Sequence, residues 1–315
     1  MKKLLLIVLA INLVACTNDN TETTPTQVAV AKDNTFNPNP TPEDYKNANY
    51  PGFTTSGSTA KVLATAAVYV NTYVPDAAFR TRLLSIGAAT DPVPGDNYVS
   101  IDQTRGGLDL SSASISDLTG IQGFTSLFQL VVSGNNLTVL NISALVNLGV
   151  LECQYNQLTS LNLSANTHLY QVWCYNNLLT SLTLPTSTTS LWGVWCYGNK
   201  LTSLDLKGNI GITDLFIQSN QLTTLNLSTY INLKQINCSA NKWATLSLNT
   251  NNKLTSVWCF SNTLLTDLYI RNLDNTLITN QDFRYNTKAP KIHVNSVAWS
   301  QTNWLNRGSS TYVNP

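Results

Sequence analysis

The chain has 315 residues, 43% of them hydrophobic and only 11% charged, which is apolar material for a sizeable core or for one elongated repeat array. With Lys2 and Lys3 in a removable leader, sixteen basic residues face seventeen acidic ones, a balance that gives no electrostatic reason for a nucleic acid or an anionic membrane surface as partner. Two histidines, His168 and His293, leave little material for acid–base or metal chemistry. No Ser/His/Asp constellation, paired-carboxylate cleft, phosphate loop or metal cluster is visible, so no catalytic residue, metal or cofactor is expected.

Residues 1–16 read MKKLLLIVLAINLVAC. Two lysines precede an apolar run too short to span a bilayer, the layout of a signal peptide. Its end, Leu13-Val14-Ala15-Cys16, resembles a bacterial lipobox, so lipidation at Cys16 is expected; the alternative is an ordinary cleaved leader with an accidental cysteine. Residues 17–73 are rich in Thr, Asn and Pro with no sustained apolar period, and read as a flexible tether, with a small extra domain as the alternative. At Val74 the texture changes. Val74-Pro75-Asp76-Ala77-Ala78-Phe79 starts a helix, with Pro75 suited to a first turn, Asp76 to the positive helix end and Gly87 to its termination. Residues 88–98 read as loop and Gly107-Leu108-Asp109-Leu110 as a first short strand. A cap with this first rung thus spans 74–126.

From 127 to 277 the sequence repeats. The segments 127–137, 148–158, 169–179, 191–201, 212–222, 233–243 and 254–264 each fit L-x-x-L-x-[CVI]-x-x-N-x-[LW]. The ninth-position residues are Asn135, Asn156, Asn177, Asn199, Asn220, Asn241 and Asn262, at a period of 21 or 22. One such unit cannot bury its own apolar face, so units stack and share a core. Positions one, four, six and eleven point inward, and each asparagine turns the chain out of its strand by bonding backbone groups that the turn leaves unpaired. Residues 278–315 read as a degenerate last repeat and a closing cap.

These repeats resemble leucine-rich repeats of the short internalin-like class. The wording L-x-C-x-x-N-x-L-T-x-L looks like that of surface lipoproteins of Bacteroidetes. VPDAAF with ISDLTGIQGF (115–124) resembles their amino-terminal cap, and IHVNSVAWSQTNW (292–304) their closing segment. The resemblance covers roughly 74–315 and implies a leucine-rich-repeat solenoid, β-rich, with a parallel concave sheet and a small helical N-terminal cap. Many relatives continue into a sorting domain; here the sequence stops at Pro315 and the lipid anchor is expected to replace it.

Two columns carry the functional expectation. At position six, Cys153, Cys174, Cys196, Cys238 and Cys259 alternate with Val132 and Ile217, so these thiols read as small buried hydrophobes; an oxidised pair between neighbouring rungs is the alternative. On the outward side, position five carries Trp173, Trp195, Phe216 and Trp258, position seven carries Tyr175, Tyr197 and Phe260, and Tyr155 lies at position eight. An exposed aromatic stripe is expected to mark an interaction site, with Gln154, Gln171, Gln218, Gln235 and Asn237 adding directional bonds; a stabilising coat on the sheet is the alternative. The expected function is therefore that of a non-enzymatic, lipid-anchored binding protein of the bacterial envelope, at the outer membrane. Its ligand is expected to be a protein, in adhesion or in host or neighbour interaction. A neutral glycan is the first alternative and a structural envelope role the second.

Overall fold

The computed structural model describes residues 67–186, 191–271, 275–304 and 306–313. The signal peptide, Cys16 and the tether up to residue 66 lie outside the described residues.

The fold begins five residues before the helical cap was expected. Tyr69–Tyr73 (β1) pairs antiparallel with Tyr98–Asp102 (β3), and Ala89–Thr90 (β2) pairs with the other side of β3. The cap therefore starts inside the stretch assigned to the tether, and part of the expected 88–98 loop is strand. β-Branched and aromatic residues favour this: Val70 stands opposite Ile101, and the Tyr73 and Tyr98 rings meet at 5.4 Å. Between them lies the helix Ala77–Ser85 (α1). Pro75 stands outside it, because Asp76 is the N-cap, accepting from the Phe79 N–H at 2.9 Å. Phe79 and Leu83 are buried, and Gly87 follows the helix at φ +63°.

Among the described residues nine strands form one parallel sheet: Gly107–Asp109, Gln129–Val131, Val150–Glu152, Gln171–Trp173, Gly193–Trp195, Asp214–Phe216, Gln235–Asn237, Ser256–Trp258 and Asn280–Asp282. Each pairs with the next in the chain without slippage: Leu151, Val172 and Val194 are Cα partners, as are Leu215 and Ile236. The opposite side is built from short parallel strands, among them Thr245–Ser247, Asp267–Ile270, Lys291–Val294 and Thr311–Val313. The core lies between, filled by the leucines of both sides and by position six.

The turn out of each strand is a two-residue device. Position eight is left-handed in every rung, including Tyr155 (φ 56°), Asn176 (φ 51°), Ser219 (φ 54°), Ala240 (φ 50°) and Tyr285 (φ 59°). Side chains other than Gly and Asn rarely accept that region. What holds them there is the asparagine next door. Asn177 Nδ2 donates to the carbonyls of Cys153 (3.0 Å) and Cys174 (3.2 Å), while its Oδ1 accepts from Leu158 N (3.0 Å). Asn199 repeats the pattern on Cys174, Cys196 and Leu179. Asn286 belongs to the same ladder, donating to Cys259 O and Phe283 O. The pattern bends at Trp243, whose indole N–H donates to Cys238 O at 2.8 Å. Asn262 there accepts from Asn241 N instead. In its rung Leu265 is buried while Leu264, expected inward, is 44% exposed.

A second, unexpected asparagine set closes the opposite side. Asn166, Asn209 and Asn251 are fully buried. Asn166 donates to Ile142 O and Leu145 O, and Asn251 to Leu227 O and Tyr230 O. The far end is sealed by Val297–Asn303 (α2), capped by Ser296, and by Trp304, whose indole donates to Ile278 O at 3.0 Å.

Candidate ligand-binding face

Strand alternation puts positions three, five and seven on the side of the sheet away from the core. The expected aromatic columns are there, but they do not present themselves as an exposed stripe. Trp173, Trp195, Phe216, Trp258, Tyr175 and Tyr197 are all buried, at 8% exposure or less; Phe260 is half-buried, and only Tyr155, at 54%, is well exposed. Part of the reason is rung spacing. Equivalent residues in a parallel sheet repeat about every 4.8 Å, close enough for rings to lie face on face. Trp173 and Trp195 are parallel at 3.6 Å, and Tyr175 and Tyr197 stack at 4.3 Å. Trp195 then meets Phe216 at 6.2 Å, and Phe216 meets Trp258 at 6.5 Å. Tyr155 closes the tyrosine row edge-on against Tyr175 at 5.2 Å.

Glycine makes room for this packing twice. A Cβ on Gly193 would lie 2.2 Å from Trp195 Cη2, so the indole folds over its own strand. A Cβ on Gly149 would lie 2.6 Å from both Phe128 and Tyr170, whose rings meet across it at 5.5 Å. Trp192, at position two, adds an edge-on contact to Trp195 at 5.6 Å. It stands outside the outward columns, which is why the sequence did not single it out.

The polar part of the face is acidic and amide-rich. Glu152 and Asp214 are each 5% exposed, on either side of the tryptophan pair. Burial pushes the Asp214 carboxyl up to about 6, against the Thr213 hydroxyl and the Lys234 charge, which pull it down. Gln235 Nε2 donates to Asp214 Oδ1 at 2.9 Å. Gln154, Gln171, Gln218, Gln235 and Asn237 are all buried. Burial also raises the Tyr175 hydroxyl, helped by Tyr197 and Tyr155. Below the sheet, all five described cysteines are free and fully buried. Burial pushes Cys196 up to about 12 and raises Cys174 and Cys238 strongly, so none of these three is a ready thiolate.

The histidines lie elsewhere. His168 Nδ1 contacts Val146 O at 2.9 Å in an exposed turn. His293 Nε2 meets Asp267 Oδ1 at 2.8 Å, with Tyr269 stacked on its ring at 4.2 Å, on the side opposite the aromatic face. Among the described residues no group of three or more His, Cys, Asp or Glu is placed to hold a metal ion. No described helix is long and apolar enough to cross a membrane.

No protein-family model matches the sequence, and no curated protein matches it. Solved structures do. An internalin (InlF) from Listeria monocytogenes superposes with a TM-score of 0.52 at 15% identity, over 80% of this chain and 79% of that one. The functional domain of InlJ from Listeria monocytogenes, which includes a cysteine ladder, gives 0.42 at 20% identity, over 80% and 72%. Internalin C2 from the same organism gives 0.45 at 16% identity, over 79% and 100%. At these identities the likeness is one of fold. Repeat, ladder and superposition agree that the chain is a leucine-rich-repeat solenoid.

Proposed function

We propose that this protein is a binding module that takes a protein ligand on its concave sheet, displayed on the bacterial envelope by a lipidated Cys16. The observation that carries the reading is where the aromatic residues sit. Stacking of rungs needs apolar groups at the inward positions only. Yet two rows of rings, with buried Glu152, Asp214 and four glutamines among them, occupy the outward side of the strands. Large aromatic side chains are the residues enriched at interface centres. Ring geometry also ranks the ligands. A saccharide platform needs an open indole face, and the 3.6 Å stack closes the facing sides of Trp173 and Trp195. A polypeptide can use ring edges and amides together.

The test places a photo-crosslinking phenylalanine analogue at Tyr155 on the concave side, or at Val139, 73% exposed on the other side. Irradiation on intact cells should yield protein-sized adducts from position 155 and not from 139. Adducts from 139 alone, or from neither, would overturn the reading. The anchor is separable. Cys16→Ala should move the protein out of the membrane fraction or leave the precursor unprocessed; unchanged fractionation and lipid labelling would refute it.

A further inference from the structure

We propose that the concave face receives an extended polypeptide strand, whose backbone N–H groups land on the side-chain carbonyls of Gln171 and Gln235. The proposal rests on the concave-face reading above and names its ligand class and contact atoms.

Gln154, Gln171 and Gln235 are 4%, 1% and 7% exposed. Among the described residues, the Oε1 atom of each has no hydrogen-bond partner, and neither has Nε2 of Gln171. Val172 and Ile236 point into the core, so by alternation Gln171 and Gln235 stand on the ligand side. A buried amide left unpaired costs about 1–3 kcal/mol, and native proteins keep few of them. Several on one face mark a surface that a ligand completes, and since each atom is closed to solvent in the free protein, the ligand must displace the groups that cover it. For Gln235 the cause of its orientation is visible. Its Nε2 is committed to Asp214 Oδ1, and Asp214 is itself held by the Thr213 hydroxyl. Asp214 is thus a positioning residue, leaving the Gln235 carbonyl for another donor.

Three of these four orphaned atoms are acceptors, so the ligand must bring donors. A polypeptide backbone brings them at a fixed spacing. In an extended chain, N–H groups on one side recur at every second residue, and two that are four residues apart lie roughly 13–14 Å from each other. Gln171 and Gln235 hold the same repeat position on strands separated by three steps of the sheet, roughly 14 Å at about 4.8 Å per step. A strand laid across the rungs meets both. Its side chains then run along the ring columns.

The probe is a library of random dodecapeptides displayed on phage, panned against the full chain, with recovered peptides synthesised for titration. The Gln171→Leu/Gln235→Leu double variant should bind them roughly ten- to thirtyfold more weakly, the loss of about one or two hydrogen bonds. Because both amide atoms of Gln171 are unpaired in the free protein, Gln171→Leu alone should melt at an equal or higher temperature, whereas Gln235→Leu also removes the bond to Asp214 and should lower it. Methylating alternate backbone nitrogens of a recovered peptide should weaken binding to the unmodified protein by a similar factor. It should cost little further against the double variant. The methylation arm needs no variant to fold. Peptides that bind through Tyr155 and Trp258 yet ignore both the glutamine changes and N-methylation would overturn the strand inference and leave the concave reading standing. Peptides indifferent to every concave substitution would overturn both. If no peptide is enriched, the strand inference fails, and crosslinking at Tyr155 decides the rest.

Discussion

Gly193 is the residue on which the centre of the face turns. Equivalent positions on neighbouring strands carry Gln171 and Asp214, but here any side chain would meet Trp195, with Cη2 at 2.2 Å and Cζ3 at 2.3 Å. Gly193→Ala should therefore push the indole off its stack with Trp173. We expect a cost of about 1–3 kcal/mol in denaturant unfolding, the usual range for overpacking, with loss of the near-ultraviolet circular dichroism of the coupled indoles. Gly107 is a matched control. It holds the same repeat position in the first rung, and a Cβ there meets nothing within 4 Å. Gly107→Ala should stay within about 0.5 kcal/mol of the unsubstituted protein. Equal effects at the two sites would mean that the clash does not govern the packing. The residue scale is also where sequence and structure part most. The columns were legible because position in the repeat fixes which side of the strand a residue takes. Whether their rings would stack or stand open was not, because that depends on side-chain rotation and on a missing Cβ two residues away. The left-handed backbone at position eight was equally hidden: Tyr155 and Ala240 have no preference for it, and tertiary bonds from the neighbouring asparagine impose it.

At the scale of elements, one carboxylate makes four of the bonds that tie the cap together and to the first rungs. Asp76 Oδ1 caps α1 through Phe79 N, and Oδ2 accepts from Ser116 N, Ser116 Oγ and Asp117 N at 2.9–3.0 Å. Burial alone would raise its pKa, but these bonds outweigh it and hold the carboxyl below its ordinary 3.8. The sign follows. A depressed folded pKa contributes stability above the unfolded value and loses it as the pH falls through the folded one. Asp76→Ala should cost about 2–3 kcal/mol at pH 7, the sum of a lost N-cap and lost charge-assisted bonds. The gap should narrow as pH drops below about 3.8. A gap that is the same at pH 7 and pH 2.5 would show that the charge plays no part. The helix itself was readable from Val74-Pro75-Asp76, since capping chemistry is local. β1 was not, because five residues of mixed polarity become a strand only through a partner about thirty residues later, on the far side of that helix. Asn166, Asn209 and Asn251 were overlooked for a related reason. They occupy alternate rungs, opposite Leu145 and Tyr230 in others, so no 21-residue column of asparagine appears.

For the whole molecule, the period carried the fold: with the strand, the turn and the inward positions each fixed by repeat position, the remaining freedom is how many rungs are stacked. Among the described residues each rung bonds to its neighbours, through strand pairing and through asparagine bridges that reach back one rung, as Asn220 reaches Cys196 O and Asn241 reaches Ile217 O. Stability should then be close to a sum of rung and interface contributions. Deleting residues 212–232 removes one complete unit and brings Leu233 to the place of Ile212. Asn241 can then bridge back to Cys196 O as Asn220 did, and Gln235–Asn237 can pair with Gly193–Trp195. The shortened protein should fold cooperatively with a similar far-ultraviolet spectrum and a lower unfolding midpoint. Deleting only 212–222 removes a strand and its turn but keeps the return segment, so every later leucine and asparagine falls out of register with the rung before it. That variant should lose cooperative unfolding. If both deletions unfold alike, nearest-neighbour stacking is not what organises the chain. The longer deletion also interrogates the face, because it takes out Asp214 and Phe216 and brings Gln171 and Gln235 one step closer, to roughly 10 Å. A peptide strand that spans the original separation should bind the shortened solenoid more weakly even though both glutamines remain, an outcome that titration of the recovered dodecapeptides measures directly.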